Sequence, residues 1–178
     1  MKNVNSDVTL DISKYYLCMS LKCDNNYDGI NKYLNCFKGA ITLFKEKIPY
    51  FCHRRLGIRK VRVEDKPTFE EFRDIFEDSI YEKPKYGFDC FTFLRTEHVD
   101  SFELANPKNL RFNVRCLMQH GVKDDKDLYT SSLDIDAYYV GDFLSNSDIN
   151  NLINTANKTE FEIYKYCMKE SYLESISE

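Results

Sequence analysis

Asp134 and Asp136 are the residues whose type and spacing come nearest to catalytic chemistry. They sit in Leu133-Asp134-Ile135-Asp136-Ala137, where alternation with apolar residues reads as a β-strand that projects both carboxylates from one face. Two carboxylates so placed can hold one or two Mg²⁺ ions for phosphoryl or nucleotidyl transfer. The competing reading is electrostatic. Leu110, Phe112, Val114, Cys116 and Met118 also alternate with polar residues. If that strand pairs with the aspartate strand, Arg111 and Arg115 face Asp134 and Asp136 as cross-strand ion pairs, an ordinary decoration of a solvated sheet face. Charged residues in alternation are the normal outer half of a half-buried strand, so the ion-pair reading leads.

The second candidate is a run of cations. His53-Arg54-Arg55-Leu56-Gly57-Ile58-Arg59-Lys60-Val61-Arg62 holds five Lys and Arg side chains and no acid, in a chain of formal net charge -4. Arg54, Arg55, Arg59, Lys60 and Arg62, together with Arg111 and Arg115 of the later strand, are the candidate partner-binding residues. Arginine suits bidentate contact with carboxylate or phosphate, and Tyr50 and Phe51 stand nearby for stacking. The plainer alternative is a solvated strand paired with the acids that follow, Glu70, Glu71, Asp74, Glu77 and Asp78. An acidic chain is a poor general nucleic-acid binder, although a local basic edge remains compatible with one.

Four short stretches resemble parts of known families. His120-Gly121-Val122 followed by the D-x-D strand is similar to the turn-and-strand pattern of nucleotidyltransferases, with Val122 where that family carries Ser. Gly87-Phe88-Asp89-Cys90-Phe91-Thr92-Phe93 resembles the strand of RNA-recognition motifs whose aromatics stack on bases, which implies an RNA-binding module if Phe91 or Phe93 is exposed. The Arg115 to His120 spacing is similar to the motif of HEPN ribonucleases, but its segment alternates as a strand and lacks the helix that motif needs. Glu160 and Glu162 after Thr130-Ser131-Ser132 resemble ADP-ribosyltransferases, yet Thr159-Glu160-Phe161-Glu162 is explained as a helix start. His53, His98 and His120 show no spacing that pairs any of them with a cysteine or a metal. No P-loop, dinucleotide-binding glycine fingerprint or nucleophile elbow occurs, and no cofactor or metal site is expected.

These residues need elements to position them. Residues 1–12 read as a polar tail that is a candidate for flexibility, and Lys14 to Cys23 as a buried strand. Ile30, Tyr33, Leu34, Phe37, Ile41, Phe44 and Ile48 recur at helical spacing, which predicts a helix over about 28–48. Ile58 to Glu64 reads as a strand. Thr68-Phe69-Glu70-Glu71 starts a predicted second helix with Phe69, Phe72, Phe76 and Ile80 inward. Phe88 to Arg95, 110 to 118 and 133 to 139 read as strands. Ser145 and Ser147 are N-cap candidates for a helix carrying Ile149, Leu152, Ile153 and Ala156, with a further helix restarting at Thr159.

The 178 residues, 43% hydrophobic and 15% aromatic, are enough for one domain to bury about two thirds of its unfolded surface. The expected class is therefore α+β: a single compact domain over 1–178, with one mixed or antiparallel sheet of about five strands and helices mainly on one face. Seven cysteines without a C-x-x-C pair, no apolar signal core and no apolar run of membrane-spanning length point to a reducing cytoplasm and no membrane. The acidic last third, nine acids from Asp134 to Glu178 against Lys158, Lys165 and Lys169, gives the chain a second pole suited to self-association. The expectation that follows is a small non-catalytic binding protein, an inhibitor or accessory factor of the kind used in viral, phage or bacterial conflict. A protein partner comes first, nucleic acid through the basic edge second, and a homodimer is compatible. The alternative is a metal-dependent nucleotidyltransferase- or nuclease-like enzyme built on Asp134 and Asp136.

Overall fold

A computed structural model describes residues 8–12, 17–21, 30–48, 55–80, 94–141 and 146–176. The chain divides into two compact units, Met1–Cys52 and His53–Glu178. In the first, β1 (Val8–Ile12) and β2 (Leu17–Leu21) form an antiparallel pair in which Val8 faces Leu21 and Ile12 faces Leu17. The 18-residue α1 (Ile30–Lys47) follows where the helical periodicity places it, with Leu34 and Ile41, two turns apart on one stripe, buried. Residues 8–12, read from sequence as tail, are therefore a strand.

The second unit is α+β, as composition and patterning predict. Its sheet is four-stranded and wholly antiparallel, in the order β3 (Arg55–Lys66), β6 (Lys126–Val140), β5 (Leu110–Lys123), β4 (Arg95–Glu103). The central hairpin is long because its loop is minimal. Asp124 and Asp125 both take the left-handed conformation, φ 52° and 59°, which gives a two-residue turn the twist of the arms it joins. One face of the central strands is built from Leu110, Phe112, Val114, Cys116 and Met118 against Leu133, Ile135 and Ala137, every one buried. The helix α2 (Asn146–Cys167) packs on this face against β3 and β6, carrying Ile149, Leu152, Ile153 and Ala156 inward.

The predicted helix after Thr68 is only a 3-10 turn, Glu70–Asp74, without a side-chain cap; the Thr68 hydroxyl donates instead to the Glu71 carboxylate at 2.9 Å, which is not the backbone contact a capping box makes. Phe69, Phe72, Ile75 and Phe76 still bury into the core. The backbone leaves helical geometry there to pair with the break between α2 and α3 (Glu170–Ser175): Glu77 N donates to Cys167 O and Lys169 N donates to Ile75 O, both at 3.0 Å. Tertiary pairing outweighs local helix propensity at that point. The predicted restart at Thr159 is absent, since α2 runs through it unbroken. The strand expected over 88–95 falls mostly on residues outside the described set. The observed β4 begins at Arg95, where that expectation ends.

Candidate functional site: the open face of the sheet

Strand parity fixes what the other face carries. On β3 the residues Arg55, Gly57, Arg59, Val61 and Val63 point away from α2. On β6 they are Thr130, Ser132, Asp134, Asp136 and Tyr138; on β5 Arg111, Asn113, Arg115 and Leu117; on β4 Arg95, Glu97, Val99, Ser101 and Glu103. The sheet thus collects four of the seven candidate partner-binding residues, Arg55, Arg59, Arg111 and Arg115, on one solvent-facing surface with Asp134 and Asp136. Lys60 and Arg62 go to the opposite face, and Arg54 lies outside the described residues.

Every one of those four arginines is held by an acid. The guanidinium of Arg59 donates to both oxygens of Asp134, at 2.8 and 2.6 Å, a bidentate pair that raises its pKa. Arg55 reaches Asp136 at 2.5 Å while stacking over the Tyr138 ring, 4.3 Å from its centroid. Gly57 faces Tyr138 across the ladder, and a Cβ there would lie 2.7 Å from the Ala137 carbonyl oxygen. Arg115 sits 2.6 Å from Glu97, which also takes Arg95 at 2.5 Å. The two guanidiniums, Arg115 first, hold the Glu97 carboxyl below the usual range. Arg111 bonds Glu103 at 2.9 Å and lowers that carboxyl too, aided by the Asn109 amide.

Sequence reasoning placed Arg111 and Arg115 opposite the two aspartates. Their strand does pair there, with Arg115 facing Asp134 and Arg111 facing Tyr138, but the ion pairs run outward: β5 arginines to β4 glutamates, β6 aspartates to β3 arginines. Nor do the cations of β3 pair with the acids at 70–78. The bidentate Arg59 contact and the Arg55 contact occupy Asp134 and Asp136, so a divalent ion held there would have to displace both guanidiniums. Among the described residues no three His, Cys, Asp or Glu side chains converge as metal ligands.

The covered face holds what the sequence reading missed. Glu160, taken as part of a helix start, is mid-helix and 0% exposed. Its place was legible, four residues after Ala156 and three before Ile163, in the apolar stripe of α2. Lys60 crosses from β3 to lie 3.4 Å from Glu160 Oε2 and donates to Asn157 Oδ1 at 2.7 Å, yet neither carboxylate oxygen has a hydrogen-bond partner. Burial pushes the Glu160 carboxyl up to about 7 against the pull of the Lys60 ammonium. Arg62 is clamped by Glu64 at 2.8 Å, Tyr164 at 2.6 Å and the Tyr172 hydroxyl.

The remaining reactive groups stay apart. Cys116 and Cys167 are buried, and burial pushes their thiols up to about 12 and about 11, away from the low values that mark a nucleophilic cysteine. His120 stacks on Tyr129, with ring centroids 4.7 Å apart, and His98 bonds Asp100 at 2.9 Å. The His120 strand context confirms that the ribonuclease-like spacing lacks its helix. Phe91 and Phe93 lie outside the described residues. No helix among the described residues is long and apolar enough to cross a membrane.

Comparison with protein-family models, with curated proteins and with solved structures yields no match.

Proposed function

We propose that the chain is a non-catalytic binding protein that engages a protein partner through the open face of its four-stranded sheet, as an inhibitor or accessory factor. The observation that carries this reading is the set of arginines locked in place yet accessible: Arg55 and Arg59 keep 55% and 61% of their side-chain surface exposed while bonded to Asp136 and Asp134. Val61, Val63 and Val99 stand exposed on the same face. A rigid sheet with fixed arginines and interleaved apolar groups spends little conformational entropy on docking, and arginine is enriched at protein interfaces.

The same pairing argues for protein over nucleic acid. Phosphate binding draws its free energy from cations that replace condensed counterions, whereas each of these guanidiniums is already neutralised by a carboxylate within 2.9 Å. The test is affinity capture from lysate, with and without nuclease, comparing wild type with Arg55→Gln/Arg59→Gln. A partner retained through nuclease and lost in the variant supports the reading. Capture abolished by nuclease assigns the face to nucleic acid, and capture indifferent to the substitution removes the face from consideration.

A further inference from the structure

The edge strand β4 is exposed on both faces. Eight of its nine residues are exposed, Thr96 being the exception. Among the described residues its only sheet neighbour is β5. A long strand with free backbone groups on its outer edge is a template for pairing with another strand unless something blocks it. β4 carries no proline, and no bulge interrupts its pairing with β5.

Backbone parity shows which groups β5 leaves unpaired. Leu94 O accepts from His120 N at 2.8 Å, and Leu104 N donates to Leu110 O at 2.9 Å. The even-numbered residues therefore turn their N–H and C=O toward β5, and Arg95, Glu97, Val99, Ser101 and Glu103 turn theirs outward. About Val99 the two halves of the strand are complementary in charge at their ends, Arg95 against Glu103, with Glu97 against Ser101 between. Laid antiparallel on a copy of itself with Val99 on the two-fold axis, Arg95 meets Glu103, His98 meets Asp100, Thr96 meets Phe102 and Leu94 meets Leu104.

We propose that β4 pairs antiparallel with β4 of a second copy in this register, joining the two sheets into one. The outward backbone groups of Arg95, Glu97, Val99, Ser101 and Glu103 then face their counterparts as hydrogen-bonded pairs. His98 and Asp100 come together at the closer, non-hydrogen-bonded sites. Charge selects this register over its neighbours. Centring on Asp100 sets Asp100 against Asp100 and Glu97 against Glu103, while centring on His98 leaves Arg95 opposite Ser101. The interface is isologous, as a two-fold dimer requires. It uses the backbone edge of β4, whereas the partner reading above rests on the arginines of β3.

Sedimentation velocity across a concentration series tests the proposal with the full chain. Wild type dimerises. Val99→Pro removes only an outward N–H, keeps the far-ultraviolet circular dichroism spectrum, and weakens self-association at least about tenfold. Asp100→Lys weakens it too, by removing the carboxylate that faces the His98 ring, and His98→Asp/Asp100→Lys restores it by bringing a carboxylate and an ammonium together at the same two sites. Mixed Cys variants fix the register: His98→Cys chains oxidised together with Asp100→Cys chains give a disulfide-linked heterodimer above the background that wild-type chains, with their seven cysteines, give under the same oxidation. A wild type that stays monomeric throughout, or a dimer indifferent to both Val99→Pro and Asp100→Lys, overturns the proposal.

Discussion

The two edges of the sheet, β3 and β4, differ in charge and in cover: β3 carries seven Lys, Arg, Asp and Glu side chains over twelve residues and β4 four over nine. β3 turns Arg55 and Arg59 to aspartates of its neighbour β6, and sends Lys60 and Arg62 under α2 and α3, where Glu160, Asn157, Tyr164 and Tyr172 receive them. Each described cation of the basic run is thereby committed within its own chain. β4 also pairs its charges within the chain, Glu97 with Arg95 and Arg115, Glu103 with Arg111, and Asp100 with His98, but among the described residues no helix packs on it, and eight of its nine residues stay exposed. Both edges therefore satisfy their charges internally, and what sets the mixed-sign, weakly patterned β4 apart is that α2 covers a face of β3 and neither face of β4. Charge density alone misleads about binding; what matters is where the partners sit.

The sharpest break of this comparison is a proline placed one residue apart on β4. His98 N–H belongs to the ladder with β5, so His98→Pro loses a bond inside the sheet and costs about 2–4 kcal/mol of unfolding free energy. Val99→Pro, whose N–H points outward, changes the stability of the monomer by under about 0.5 kcal/mol. Urea denaturation at a concentration low enough to hold the chain monomeric reads both. Equal losses at the two positions would show that β4 is paired on both sides.

On the β3 side the corresponding probe is the buried acid that receives Lys60. Glu160 has its pKa raised to about 7 in the folded chain, so the folded state keeps this proton to higher pH than the unfolded state does. Its contribution to stability is full below the unfolded value of about 4.3 and is lost as pH rises to about 7. The wild type should lose up to about 3 kcal/mol over that window. Glu160→Gln should flatten this part of the profile and leave the variant about 1–3 kcal/mol more stable at pH 8, with little gain at pH 5. A variant less stable at pH 8 would mean that the pair with Lys60 outweighs the cost of burying the carboxylate.

Truncating one side chain on each edge gives a smaller contrast. Arg62→Ala strips the partner from Glu64 and two half-buried phenols and costs about 2 kcal/mol. His98→Ala, exposed and bonded only to exposed Asp100, stays within about 0.5 kcal/mol in the monomer. Thermal denaturation of the pair decides whether the β3 cations are structural as the contacts imply.

How much of this was legible in the sequence follows from the same contrast. The strands around 58–64, 110–118 and 133–139 and the helix over 28–48 announced themselves because each hides one face, and burial writes periodicity into the sequence. β4 hides neither face. Arg95 to Glu103 shows no alternation, and its polar cluster around His98 reads as loop for the physical reason that makes the strand available for pairing. The hairpin extension through Lys123 and Lys126 was hidden likewise by its polar arms, although Asp124-Asp125 tolerates the left-handed turn. The candidate arginines of the open face came from composition. Their partners did not, because choosing Asp134 for Arg59 and Glu97 for Arg115 requires the order β3-β6-β5-β4, a long-range fact.

The smallest effect belongs to the open face itself. Arg59→Gln removes a bidentate but largely exposed pair with Asp134, and exposed pairs contribute about 1 kcal/mol or less because water and side-chain entropy offset the attraction. The loss should shrink further between 0.05 and about 0.5 M salt, where screening falls within the reach of the pair. A stability change this small, set beside loss of partner capture in the Arg55→Gln/Arg59→Gln protein, is the signature of residues that the fold does not need for itself. A loss well above about 1 kcal/mol would instead place Arg59 with Lys60 and Arg62 among the struts of β3, and the open face would then have to bind, if it binds, through its valines and the β4 glutamates alone.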